Sequence, residues 1–158
     1  MSERLIYPQS AASRILFCSQ HLKEQPIMSK YLTFTDIVFK NEALLLAALA
    51  ELGYTNVERG EALPLYGYQG DERSERAQLV VRRKHIGVAS NDLGFARTTE
   101  GYTPIISEYD QRTLHDGKFI TRLRTAYNER VVTEMQKRLR GTLRREQQGK
   151  LVKMKIRF

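Results

Sequence analysis

Leu45, Leu49 and Leu52 recur at i, i+4 and i+7 inside Ala43–Leu52, a run of strong helix formers, and that spacing predicts a helix. Asn41 stands before it as an N-cap, and Gly53 follows where a left-handed cap is expected. Ahead of it, Tyr31–Phe39 (YLTFTDIVF) is rich in aromatic, Thr and β-branched residues, with Leu32, Phe34 and Val38 on one parity, which predicts a strand. Gly60–Gln69 reads as a short strand entered through Pro64, and Gly70–Arg76 as a polar loop. Ala77–Lys84 is a strand with Leu79 and Val81 inward. Asp92–Arg97 and Tyr102–Ser107 are two more, joined by a Thr-Thr-Glu-Gly turn. Ile120, Leu123, Tyr127, Val131 and Met135 predict a second helix over Phe119–Leu139, stopped at Gly141. The end is a hairpin. Thr142–Gln147 turns through Gln148-Gly149 into Leu151–Phe158, where Val152, Met154, Ile156 and Phe158 alternate with Lys153, Lys155 and Arg157. A period of two requires one apolar and one cationic face.

The order is therefore β-α-β-β-(β-β)-α-β-β. The best match is a ferredoxin-like α+β two-layer sandwich: an antiparallel sheet with two helices on one face, an inserted central hairpin and a C-terminal hairpin. At 158 residues and 41% hydrophobic content the chain suits one domain with a real core, assigned to residues 28–158. The longest apolar run, Ala43–Ala50, is far short of a membrane span. A lone Cys18 excludes an internal disulfide and a multi-cysteine metal site, and fits a reducing compartment. The expectation is a soluble, cytoplasmic protein.

Several blocks carry a family likeness. They are Met28-Ser-Lys-Tyr with the strand after it, Leu44–Tyr54 (LLLAALAELGY), Gly67-Tyr-Gln-Gly70, Ser90-Asn-Asp-Leu-Gly-Phe95, Ile106-Ser-Glu-Tyr-Asp110, and Leu123–Val131 around Tyr127. In this order they resemble the hypothetical chloroplast open reading frame 35 family of cyanobacteria and algal plastids, a domain of unknown function, over residues 28–158. The resemblance implies a cyanobacterial cytoplasm or plastid stroma and implies no activity. The chain departs from the family pattern in its N-terminal extension and its unusually basic C-terminal hairpin.

Charge is distributed unevenly. Residues 111–158 hold 14 Lys/Arg against 4 Asp/Glu, while residues 1–110 hold 12 against 14, so the formal net charge of +8 belongs to one end. Such a field favours anionic partners. On the last strand Lys153, Lys155 and Arg157 share a side, and Arg144 or Arg145 stands across the hairpin. Arg122, Arg124, Arg130, Lys137, Arg138 and Arg140 add charge along the second helix. This surface suits an acidic protein. RNA is the alternative, although the cationic parity lacks the aromatics that stack bases. A solvated, edge-protecting face is the plainest reading.

Other constellations are weaker. Asn91, Asp92, Glu108 and Asp110 cluster if their strands pair, and paired carboxylates serve acid/base chemistry or a hard cation. The same residue types cap loops through side-chain to backbone bonds. His21, His85 and His115 show no ligand spacing, so no metal is assigned. Gly67-Tyr-Gln-Gly70 lacks the Lys-Ser/Thr of a phosphate loop. Tyr54, Tyr66, Tyr68, Tyr102 and Tyr109 form either an aromatic patch or ordinary half-buried strand positions. No cofactor and no catalytic residue is assigned. The leading expectation is a non-catalytic accessory or assembly factor using Arg122, Arg130, Lys137, Arg144, Arg145, Lys153, Lys155 and Arg157. The second is an RNA-binding protein using the same surface, and the third an enzyme or cation site at Asp92, Glu108 and Asp110.

Residues 1–27 show neither helical nor strand periodicity, lack the long apolar stretch of a secretory signal, and carry Glu3 and Glu24, unlike an acid-poor transit peptide. Lys23-Glu24 can be encoded AAG-GAG, a bacterial ribosome-binding sequence, shortly before Met28-Ser29-Lys30. The hypothesis is a native start at Met28 with a translated leader before it. Mass spectrometry of the native protein is expected to find its N-terminus at Met28 or Ser29; peptides recovered from residues 1–27 would overturn this.

Overall fold

The structure, a computed structural model, describes residues 29–157. Residues 1–28, which include Cys18, His21 and the segment expected to be a leader, and Phe158 lie outside the described residues. Strand β1 (Tyr31–Thr33) leads to helix α1 (Glu42–Glu51), then β2 (Val57–Tyr66), β3 (Glu72–Val81), a short 3-10 turn (Arg83–His85), β4 (Leu93–Arg97) and β5 (Tyr102–Ser107). Helices α2 (Glu108–Thr113) and α3 (Phe119–Leu139) follow, and then β6 (Thr142–Gln148) and β7 (Leu151–Arg157). Five strands form one antiparallel sheet in the order β1-β5-β4-β3-β2, and β6-β7 is a separate two-stranded sheet. This is an α+β architecture consistent with a ferredoxin-like sandwich.

Helix α1 forms as its leucine spacing requires. The Asn41 side chain accepts from the Leu44 backbone N–H at 3.1 Å, and Gly53 adopts φ +99°, a region glycine enters without strain. Its buried face, Leu45, Ala48 and Leu49, packs with Phe119, Leu123, Ala126 and Tyr127 of α3 onto Leu79, Val81, Leu93, Phe95 and Ile106 of the sheet. Phe39 meets Phe95 and Tyr127 edge-on, at centroid distances of 6.3 and 5.0 Å. The inserted hairpin β4-β5 is the middle of the sheet, and every residue of β5 is buried. Gly94 is required in it: a Cβ there would lie 2.8 Å from Leu65 Cδ1 and 3.0 Å from Ala77 Cβ.

Several boundaries differ from the pattern, among them β2, which runs Val57–Tyr66 where Gly60–Gln69 was expected. The strand predicted over Tyr31–Phe39 stops after Thr33, because the chain turns at Thr35-Asp36 before rejoining the sheet at the Phe39–Tyr102 bridge. The turn switches parity, so Ile37 and Phe39 are buried and Val38 only partly. Glu72–Arg76, read as loop, is the first half of β3. Its polar side chains reach solvent while its backbone pairs with a bulged β2. Helix α2 was not predicted. Finally, α3 ends at Arg140 in the left-handed conformation (φ +51°), one residue before the predicted glycine stop.

The core is tight enough for one truncation to be felt. Leu49→Ala deletes a side chain with no exposed surface and is expected to lower unfolding free energy by about 2–5 kcal/mol, measured by urea denaturation. A loss below about 1 kcal/mol would contradict the packing described.

Candidate functional site

Two groups of residues stand out, one on the surface and one buried. In the hairpin, Arg144 pairs with Lys155, Glu146 with Lys153 and Thr142 with Arg157. Directly opposed residues share a face, so Arg144, Lys153, Lys155 and Arg157 form one cationic face. Arg145 falls on the other face, opposite Met154, and reaches Glu129 of α3 at 2.8 Å. That second face is the apolar one. Val152 and Met154 line a cleft of about 460 Å³ against Thr121, Thr125, Asn128 and Val132 of α3. The hairpin therefore folds back along α3 and turns its cations outward.

A carboxylate sits among those cations. Glu146 pairs with Arg144 at 3.2 Å and with Lys155 at 3.0 Å, whereas Lys153 and Arg157 make no salt bridge among the described residues. The helix cations split in the same way. Arg130 bridges to Glu51 of α1 at 2.9 Å, Lys137 to Glu134 at 3.0 Å, and Arg122 approaches His115 Nδ1 at 3.3 Å. Exposed pairs of this kind contribute about 0–1 kcal/mol each; they orient side chains more than they stabilise the fold.

The second group is buried. Asn91, Asp92, Ser107 and Asp110 are each at most 1% exposed, whereas Glu108 is half-buried and its side chain has no hydrogen-bond partner among the described residues. Asp92 accepts three bonds: from Tyr66 N at 3.0 Å, Arg83 N at 2.7 Å and Arg82 Nη1 at 2.8 Å. Asp110 Oδ2 accepts from Asn91 N at 3.0 Å, Asn91 Nδ2 at 2.8 Å and Ser107 Oγ at 2.5 Å, while its Oδ1 has no partner. Ser107 in turn accepts from Asp110 N at 3.1 Å, which caps α2. Tyr31 donates its hydroxyl to the Asp92 carbonyl at 2.9 Å. Burial, and then the nearby Asp92 and Asp110, push its phenol far above the ordinary value.

This is a capping knot. Backbone and side-chain donors engage both oxygens of Asp92 and Oδ2 of Asp110, the kind of bonding that caps loops and helix starts. Among the described residues no group of three or more His, Cys, Asp or Glu is placed to hold a metal. Sequence reading missed Ser107, Arg82 and Tyr31 as members of the knot. The spacing Ser107-Glu-Tyr-Asp110 was the available signal, since it is an N-terminal helix signature.

The remaining candidates disperse. Gly67 and Gly70 form the turn between β2 and β3. Tyr54 and Tyr102 belong to the core, while Tyr68 and Tyr109 are exposed. His85 is exposed. His115 meets the Tyr54 hydroxyl at 3.2 Å through Nε2, and its basicity is lowered by burial and then by Arg122.

The fold and this surface define a small α+β protein whose C-terminal hairpin, laid on α3, presents an outward cationic face. The family description "Protein of unknown function (DUF1257)" matches residues 48–156, a span that contains Asn91, Asp92, Ser107 and Asp110 and the hairpin as far as Ile156. The chain belongs to that family. No curated protein and no solved structure matches it. No helix among the described residues is long and apolar enough to cross a membrane.

If Asp92 is structural, removing it must be felt in stability. Asp92→Ala strips Arg82 of a buried partner and orphans two backbone N–H groups, so unfolding free energy is expected to fall by about 3 kcal/mol in urea melts. An unchanged melt would refute the capping role.

Proposed function

We propose that the protein is a non-catalytic accessory or assembly factor that docks on an acidic protein surface through the β6-β7 hairpin and α3. The observation that carries this reading is the hairpin register, which gathers Arg144, Lys153, Lys155 and Arg157 on one outward face. A two-stranded ribbon sets its cations in a defined register, and cations so arranged give specificity and speed of encounter more than raw affinity. Three features favour protein over RNA. Glu146 stands in the middle of the cationic face, where it would repel a phosphate track. No aromatic residue shares that face among the described residues, so bases have nothing to stack on. Leu151 is 73% exposed at the hairpin's turn and offers an apolar anchor beside the charges. The resemblance supports a cyanobacterial or plastid setting for this role.

Reversal of Lys153, Lys155 and Arg157 to Glu is expected to abolish capture of one acidic partner from native cells, with the fold intact by circular dichroism. An unchanged catch counts against docking here. RNA binding would instead show a salt dependence with log–log slope of about −0.7 per phosphate contacted; that slope, lost in the same variant, would replace the protein reading with the nucleic-acid one.

A further inference from the structure

Towards its C-terminal end, the apolar stripe of α3 leaves the core. Val131 is still half-buried, but Met135 and Leu139, at successive spacings of four, expose 48% and 51% of their surface. Such a stripe is unusual on the outside of a helix that already has a buried face. Val38, from the segment before α1, and Leu44, from the first turn of α1, lie beside it. With Val131 and Met135 they line a groove of about 420 Å³ between the start of α1 and the end of α3, the size of a site that admits bulky side chains. The groove's walls are tied together, because the Asn41 backbone N–H donates to the Tyr127 hydroxyl at 3.0 Å and both residues line it.

The charges around the groove are not balanced. Lys40 and Arg138 line it, and neither makes a salt bridge among the described residues. Glu134, also in the lining, is engaged by Lys137 at 3.0 Å. An occupant must therefore bring apolar side chains for the floor and carboxylates for the rim. A second copy of this chain is a poor candidate, since residues 111–158 carry 14 cations against 4 carboxylates and two such surfaces repel.

We propose that this groove seats an acidic amphipathic segment of the partner protein. Its apolar side chains enter against Leu44 and Met135, and its carboxylates meet Lys40 and Arg138. This rests on the docking reading above and extends it. Asn128 lines this groove and also the cleft in which the inner face of the hairpin meets α3, so the groove and the hairpin are carried by the same helix.

Fluorescence anisotropy on the full chain tests it with two labelled helical peptides. One carries leucine at heptad spacing with glutamate elsewhere; the other has glutamine in place of every leucine. The leucine peptide alone is expected to bind. Met135→Asp, at an exposed position that leaves the fold intact, is expected to weaken it by at least about tenfold. Reversal of Lys40 and Arg138 to Glu removes binding, and reversal of the hairpin cations leaves it unchanged. Equal binding of the two peptides, or indifference to Met135→Asp, overturns the groove while the hairpin keeps its own test. Groove binding intact with no partner lost from the hairpin variant overturns hairpin docking instead. A dimer in sedimentation that dissolves in Met135→Asp also overturns the proposal, because the groove then belongs to a second copy.

Discussion

Asp92 and Asp110 lie inside the protein, and a carboxylate taken out of water is tolerable only when donors replace the water. Six do so here: two backbone N–H groups and a guanidinium at Asp92, and one backbone N–H, an amide and a hydroxyl at Asp110. These donors come from the end of β2, the end of β3, the segment before β4 and the end of β5. These bonds tie together the ends of four strands. With those ends pinned, Leu79, Phe95 and Ile106 point at one face together, and α1 and α3 can cover them.

The hairpin obeys a different constraint. A two-stranded ribbon alone is marginally stable in water, so β6-β7 depends on α3 for a surface. Arg145 crosses to Glu129, and Val152 and Met154 lie towards Thr125 and Val132. Once that face is committed to the helix, the opposite face has only solvent to meet. The outward direction of Arg144, Lys153, Lys155 and Arg157 follows from the register that sets Val152 and Met154 against α3. Helix α3 accordingly does three things along its length: it closes the core at Phe119–Tyr127, supports the hairpin through its outer turns, and ends in the exposed pair Met135 and Leu139.

Much of this was legible in local pattern. The leucine spacing of α1, the long stripe of α3 and the alternation of β7 each report a period that one element imposes on its own residues. Glu72–Arg76 was not legible as strand, since this half of β3 has only polar side chains, which leave no hydrophobic period, and is held by backbone pairing with β2. The break after Thr33 was missed because Tyr31–Phe39 has uniform strand propensity, and only its pairing with Pro104 and Tyr102 shows where the chain turns. Helix α2 is too short for periodicity, and its one signal was the capping pair Ser107 and Asp110.

The sequence by itself determined the longer elements, the class of fold, and the concentration of cations at one end, because helix and strand periods and charge counts are properties of neighbours along the chain. Tertiary structure alone decided that Arg144 joins the cationic face and Arg145 leaves it, that Glu146 stands among the cations, and that Asp92 and Asp110 are consumed as caps. It also decided that Val38 and Leu44 meet Met135 across a groove. Each of these depends on register or on packing between residues far apart in sequence, and no local period encodes which distant partner a side chain will face.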